Sequence, residues 1–130
     1  MTMGTQMIEA LAHQAEELLI DCTFETAAAA AFLPENEKPR IASQSPAFTL
    51  SFVVRRGEEQ ASMIGNNGSR SVRMVGGQND VSFIEITVAG TPTITTIDFD
   101  NGTPMPAVHS RHTKVRGLVP SQYYGTCSVK

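Results

Sequence analysis

The run Ala107-Val108-His109-Ser110-Arg111-His112-Thr113 carries the densest group of chemically able side chains in the chain. Two imidazoles enclosing a hydroxyl and a guanidinium raise two questions: whether they hold a metal, and whether a serine is paired with a base. Strand alternation answers both. His109 and Arg111 point to one face, and Ser110 and His112 to the other. The two rings then cannot chelate one ion, and Ser110 beside His112 has no third group to orient the base. The run reads as a polar strand surface, with His109 and Arg111 as candidates for ligand or partner contact.

The remaining candidates are dispersed. Tyr123 and Tyr124 alternate in "VPSQYYGTC", so one faces the core and the other a surface or cavity, and both are candidate contacts. With no Trp and 6% aromatic residues, no aromatic ligand cage is visible. Asp98 and Asp100 lie near a turn, where a carboxylate pair or a weak calcium site competes with the ordinary use of Asp at hairpin ends. Glu85 alternates with Ile84 and Ile86, and with the isoleucines inward its carboxylate faces outward. His13 has no evident partner. Gly76 and Gly77 precede no helix and read as turn residues, not as a phosphate cradle. "NGS" at 67 and "NGT" at 101 fit the glycosylation pattern but read as hairpin turns. No catalytic, metal-binding or cofactor-binding residue is assigned, and no cofactor is expected.

The elements that must position these groups follow from periodicity. Ile8, Leu11, Ala15 and Leu18 recur at helical spacing, which predicts an amphipathic helix over 6–20 capped by Thr5. Residues 27–46, "AAAAAFLPENEKPRIASQSP", hold five consecutive alanines and three prolines and read as an irregular surface excursion. From residue 47 the period becomes two. Phe48, Leu50, Phe52 and Val54 share one face; Val72 and Met74 do so later, and Ile84, Ile86 and Val88 later still. "GNNGS", "GGQND", "AGTP" and "DNGT" mark the turns. Counting "IDCTF", about eight strands lie close together. The fold class is mainly β: one domain over 1–130, an antiparallel meander at 47–129, closed or partly closed into a small β-barrel, with one N-terminal helix.

Closure gives the cysteines a role. A meander that curls into a barrel sets its first strand beside its last, which removes both sheet edges. Cys22 lies in the first and Cys127 in the eighth. Opposed residues on antiparallel neighbours have Cα atoms roughly 4.5 to 5.5 Å apart, within disulfide reach. The alternative is two unrelated buried thiols; a zinc site lacks its CxxC spacing.

The segments "CTFET" (Cys22, Thr23 and Phe24 above all), "AVHSRHT" (Ala107–Thr113) and "VPSQYYGTC" (Val119–Cys127) resemble a group of small exported alphaproteobacterial β proteins with a CTF-type first strand and a VPSQYYGTC-type closing strand. The resemblance implies an exported β protein with one disulfide, and no activity. It places the protein in the periplasm or outside the cell; a native start at Met1 would place it in the cytoplasm instead.

A net charge of −3 gives no electrostatic reason for nucleic acid binding. No stretch approaches the roughly 20 apolar residues of a membrane span. The expectation is a non-enzymatic binding protein, monomeric or weakly dimeric, for a protein partner or a small apolar ligand. The alternative is an interaction subunit or inhibitor whose N-terminal helix docks on a partner or dimerises.

Overall fold

Apolar residues alternating with Thr, Ser, Arg and Gln cannot bury a helical stripe, but they can line one side of a curved sheet. In a computed structural model that describes residues 17–32, 38–88, 90–100, 102–114 and 117–130, they do so. The strands are β1 (Glu17–Ala31), β2 (Arg40–Gln44), β3 (Phe48–Arg55), β4 (Gln60–Gly65), β5 (Gly68–Gly76), β6 (Asp80–Ile86), β7 (Pro92–Asp98), β8 (Met105–Lys114) and β9 (Leu118–Val129). Every pairing is antiparallel. The order runs β2-β1-β3-β4-β5-β6-β7-β8-β9, and β9 pairs back onto β1. Eight strands therefore close a barrel, and β2 is an extra strand on its rim.

The long strand β1 makes this possible. Its first half, Glu17–Phe24, pairs with β3. Beyond that point the same edge passes to β2, where Ala27–Ala31 oppose Arg40–Gln44. The other edge follows β9 throughout, with a bulge between Phe24 and Thr26. The extra residue reverses the alternation: Leu18, Ile20, Cys22 and Phe24 are buried before it and Ala27 after it. Gly125 faces the bulge, and a Cβ there would fall on the Thr23 carbonyl oxygen, so only glycine allows the approach.

Cys22 and Cys127 are register partners and form a disulfide with a Cα–Cα distance of 4.0 Å across a separation of 105 residues. In the chain-entropy treatment a loop of that size contributes about 4 to 5 kcal/mol. On the outer wall Ser51 Oγ donates to Asp21 Oδ1 at 2.6 Å, and Lys130 Nζ lies 3.3 Å from Asp21 Oδ2. The Ser51 hydrogen bond and Lys130 hold this carboxyl below the usual carboxylate range.

Four expectations need correction. The helix over 6–20 gives way at its end to strand: Glu17–Ile20 open β1, while 6–16 lie outside the described residues. Leu18 and Ile20 suit either period, and pairing with Val54 and Phe52 in the core decides for strand. The excursion over 27–46 carries strand in two places as well, Ala27–Ala31 at the end of β1 and Arg40–Gln44 as β2, while 33–37 lie outside the described residues. Its alanines have little intrinsic β preference, but both of their backbone edges are taken, by β9 and β2. The face of β6 is the opposite one. Val81, Phe83 and Glu85 are buried, whereas Ile86 is 67% exposed. Phe83 turns inward to stack on Phe52, ring centroids 4.2 Å apart, and carries Glu85 with it. Finally, the "AVHSRHT" strand is no polar outer surface on both faces, since His109 is buried.

The β4–β5 hairpin follows its turn signal with one shift of detail. Gly68 adopts φ 104°, and neither asparagine is left-handed. The arrangement suits two ordinary turn residues followed by a glycine bulge. At the β7–β8 hairpin Asn101 lies outside the described residues.

Candidate functional site

Along the barrel axis the interior changes character. At one end Leu18, Ile20, Phe52, Val54, Val81 and Ile97 belong to one buried apolar cluster. Toward the other end, the side of the β4–β5 turn, the inward positions become polar. Among the described residues the buried polar side chains are Glu85, Thr93, Thr95 and His109. They come from β6, β7 and β8, and register puts them in two rows, Glu85–Thr93–Arg111 and Thr95–His109–Tyr123.

The two rows make a floor and a wall. Phe24, Phe48, His109 and Tyr123 form a ring cluster, with Phe48 5.6 Å from Phe24, 5.5 Å from His109 and 5.1 Å from Tyr123. Tilted contacts at these separations are favourable beyond area burial. His109 Nδ1 and Thr95 Oγ1 are 2.7 Å apart. Burial, reinforced by the nearby positive Arg111, pushes the imidazole down from 6.5 to about 4, so His109 is neutral near pH 7. On the wall, Arg70 Nη1 meets Glu85 Oε2 at 3.2 Å, and Thr93 Oγ1 donates to Glu85 Oε1 at 3.5 Å.

Arg111 is held differently. Its guanidinium carbon lies 4.8 Å from the centroid of Tyr123 and 5.7 Å from that of Phe48, and Nη2 donates to the Tyr123 hydroxyl. Nε is buried with no hydrogen-bond partner. Among the described residues no carboxylate lies within ion-pair distance of this cation. Buried polar groups are nearly always partnered, so an arginine fixed by ring stacking and one phenol is an exception that needs a reason.

Some of these side chains line an open-mouthed cavity of about 350 Å³. Phe48, Leu50 and Met63 give it an apolar side; Arg70, Glu85, Thr93, His109 and Arg111 give it a polar one, and Asn66 and Asn67 stand at its exposed rim. An outer hollow lined by Arg70, Glu85, Ile86, Thr87 and Val88 adjoins it.

Of the four contact candidates, the structure brings together three: His109, Arg111 and Tyr123. Tyr124 points outward, 42% exposed. Ser110 also faces away and donates to Gln122 Oε1 at 3.2 Å. Asp98 caps a turn by accepting from the Asp100 amide at 2.8 Å. His13 lies outside the described residues. Among the described residues no group of three or more His, Cys, Asp or Glu could hold a metal ion, and no helix is long and apolar enough to cross a membrane.

Sequence reasoning missed Arg70, Glu85, Thr93 and Thr95, and it saw no aromatic cluster. One signal was there to find. The inward sets read Arg70-Val72-Met74, Val81-Phe83-Glu85, Thr93-Thr95-Ile97 and Met105-Ala107-His109-Arg111. Their polar ends alternate between strand start and strand end, and antiparallel order gathers them at one end of a barrel.

Comparison of the chain with family models, with curated proteins and with solved structures finds no match to any of them. The class of the protein therefore rests on its own geometry: a disulfide-closed, eight-stranded antiparallel barrel with one packed end and one polar, hollow end.

Proposed function

We propose that this protein binds a small molecule in the mouth of its barrel, without turning it over, in an oxidising compartment outside the cytoplasm. The cavity of about 350 Å³ at the polar end carries the reading. An eight-stranded barrel is wide enough either to fill with side chains or to hold one small ligand, and here one half is filled and the other hollow. An apolar wall with a few convergent polar groups is the usual makeup of a ligand pocket. The absence of turnover is supported by how the polar groups are engaged: His109 is neutral and bonded to Thr95, and Ser110 lies on the opposite face of β8. Export is supported by the Cys22–Cys127 bond, which reducing cytoplasm would open.

A neutral fluorescent probe, N-phenyl-1-naphthylamine, tests the pocket. Its emission should rise saturably at one site per chain, and Met63→Trp, which fills the apolar side, should weaken it at least about tenfold, as several lost apolar contacts would. No saturable binding by the wild-type protein would sink the reading. Alkylating thiols in protein taken directly from its native cells tests export: both cysteines should be protected until reduction.

A further inference from the structure

We infer that the ligand of the mouth cavity is a monocarboxylate with a compact apolar body, its carboxylate on Arg111 and its body against Phe48, Leu50 and Met63. This rests on the pocket reading above and deepens it. Among the described residues the charged and titratable side chains lining the cavity are Arg70, Glu85, His109 and Arg111. Arg70 and Glu85 neutralise each other, and His109 is uncharged near neutral pH. One positive charge is left over, on Arg111.

That charge is set in a fixed frame. Stacking on Phe48 and Tyr123 and the bond to the Tyr123 hydroxyl hold the guanidinium plane, while Nε is sealed off. The remaining Nη donors are the part of the fork a ligand can meet, and a planar fork suits a carboxylate. Keeping a half-buried cation without a counter-ion costs stability, and the cost is offset when an anion completes the pair. Glu85 lies in the same register row as Arg111 with Thr93 between them, and its pairing with Arg70 leaves only the single charge of Arg111 to meet an anion, which disfavours a dianion such as a phosphate monoester. The volume lies at the low end for ligand pockets, roughly 300 to 1,000 Å³, which selects a small body. The apolar side selects against a hydrophilic one.

The experiment is displacement of N-phenyl-1-naphthylamine from the wild-type, disulfide-intact protein by octanoate, 1-octanol and octyl phosphate. These share one chain and differ in charge. Octanoate should compete at least about tenfold better than 1-octanol, the worth of one charge-assisted pair, and better than octyl phosphate at pH 8. Arg111→Gln should bring octanoate and 1-octanol to within about twofold of each other, and Arg111→Lys should restore part of the difference. A measurement without a variant accompanies these. Neutralising Arg111 removes one of the two influences that lower His109, so octanoate should raise the His109 pKa followed by NMR. Equal competition by octanoate and 1-octanol, tighter competition by octyl phosphate, or an unmoved His109 would overturn the carboxylate while probe binding kept the pocket. Failure of the probe to bind, with no heat from octanoate by calorimetry, would remove the pocket itself.

Discussion

The two ends of this barrel are made by the same strands and obey different rules. At the packed end Phe52 and Phe83 stack at 4.2 Å and neighbours fill the space around them. At the mouth, the same strands β6 and β8 present Glu85, His109 and Arg111 to a hollow. Burying apolar side chains at one end supplies stability, at about 25 cal/mol per Å² of apolar surface. The mouth spends some of it on a lone cation and a neutral histidine. The contrast separates what holds the barrel shut from what the barrel holds, and it can be tested by breaking each end in turn.

The largest effect should come at the packed end. Phe52→Ala should cost about 3 to 5 kcal/mol, as loss of a buried aromatic does, read as a shift in the urea midpoint. Thr49→Ala, on the exposed face of the same strand, should cost far less. Similar losses for the two would mean that β3 has the wrong face. On β6 the corresponding pair is Phe83→Ala, with a large loss, and Ile86→Ala, with less than about 0.5 kcal/mol. Replacing both Cys22 and Cys127 by alanine should lower stability by about 2 to 5 kcal/mol. Unreduced mass spectrometry of the parent should show two hydrogens missing.

His109 gives the next effect, and it depends on pH. Above 6.5 folded and unfolded chains both keep the imidazole neutral, and stability is full. As pH falls toward about 4 the unfolded chain takes up a proton that the folded chain refuses, so stability declines. Integrated over that window the loss is about 3 kcal/mol. His109→Gln should flatten the dependence between pH 6.5 and 4; an unchanged slope would mean that the ring is not held neutral. Zinc titration should show no tight site that His109→Ala abolishes, because His112 is on the other face.

At the mouth wall the expected cost is small. Arg111→Met keeps the stem over the rings and removes the uncompensated charge, so stability should stay within about 1 kcal/mol of the parent. A loss as large as that of Phe52→Ala would show that Arg111 belongs to the core and not to a site. The smallest effect belongs to the outer surface: Asp21→Asn should cost no more than about 1 kcal/mol, since half-exposed pairs are screened.

Much of the architecture was legible from residue order alone. Period-two alternation from Phe48 onward determined the strands, the turn residues separated them, and the need to remove sheet edges put Cys22 beside Cys127. These features are local, or follow from closure, so no knowledge of distant contacts was required. Three matters were settled only by the folded chain. Leu18 and Ile20 suit helix or strand until Val54 and Phe52 stand beside them. In β6 both alternating sets hold large apolar residues, so the inward face waited on Phe83 finding Phe52 and Glu85 finding Arg70. Arg70, Glu85, Thr93, His109 and Arg111 are spread over four strands, and nothing in residue order alone joins them. A site assembled across strands has no spacing of its own in the sequence, because its geometry belongs to the register between strands, and that register exists only once the barrel has closed.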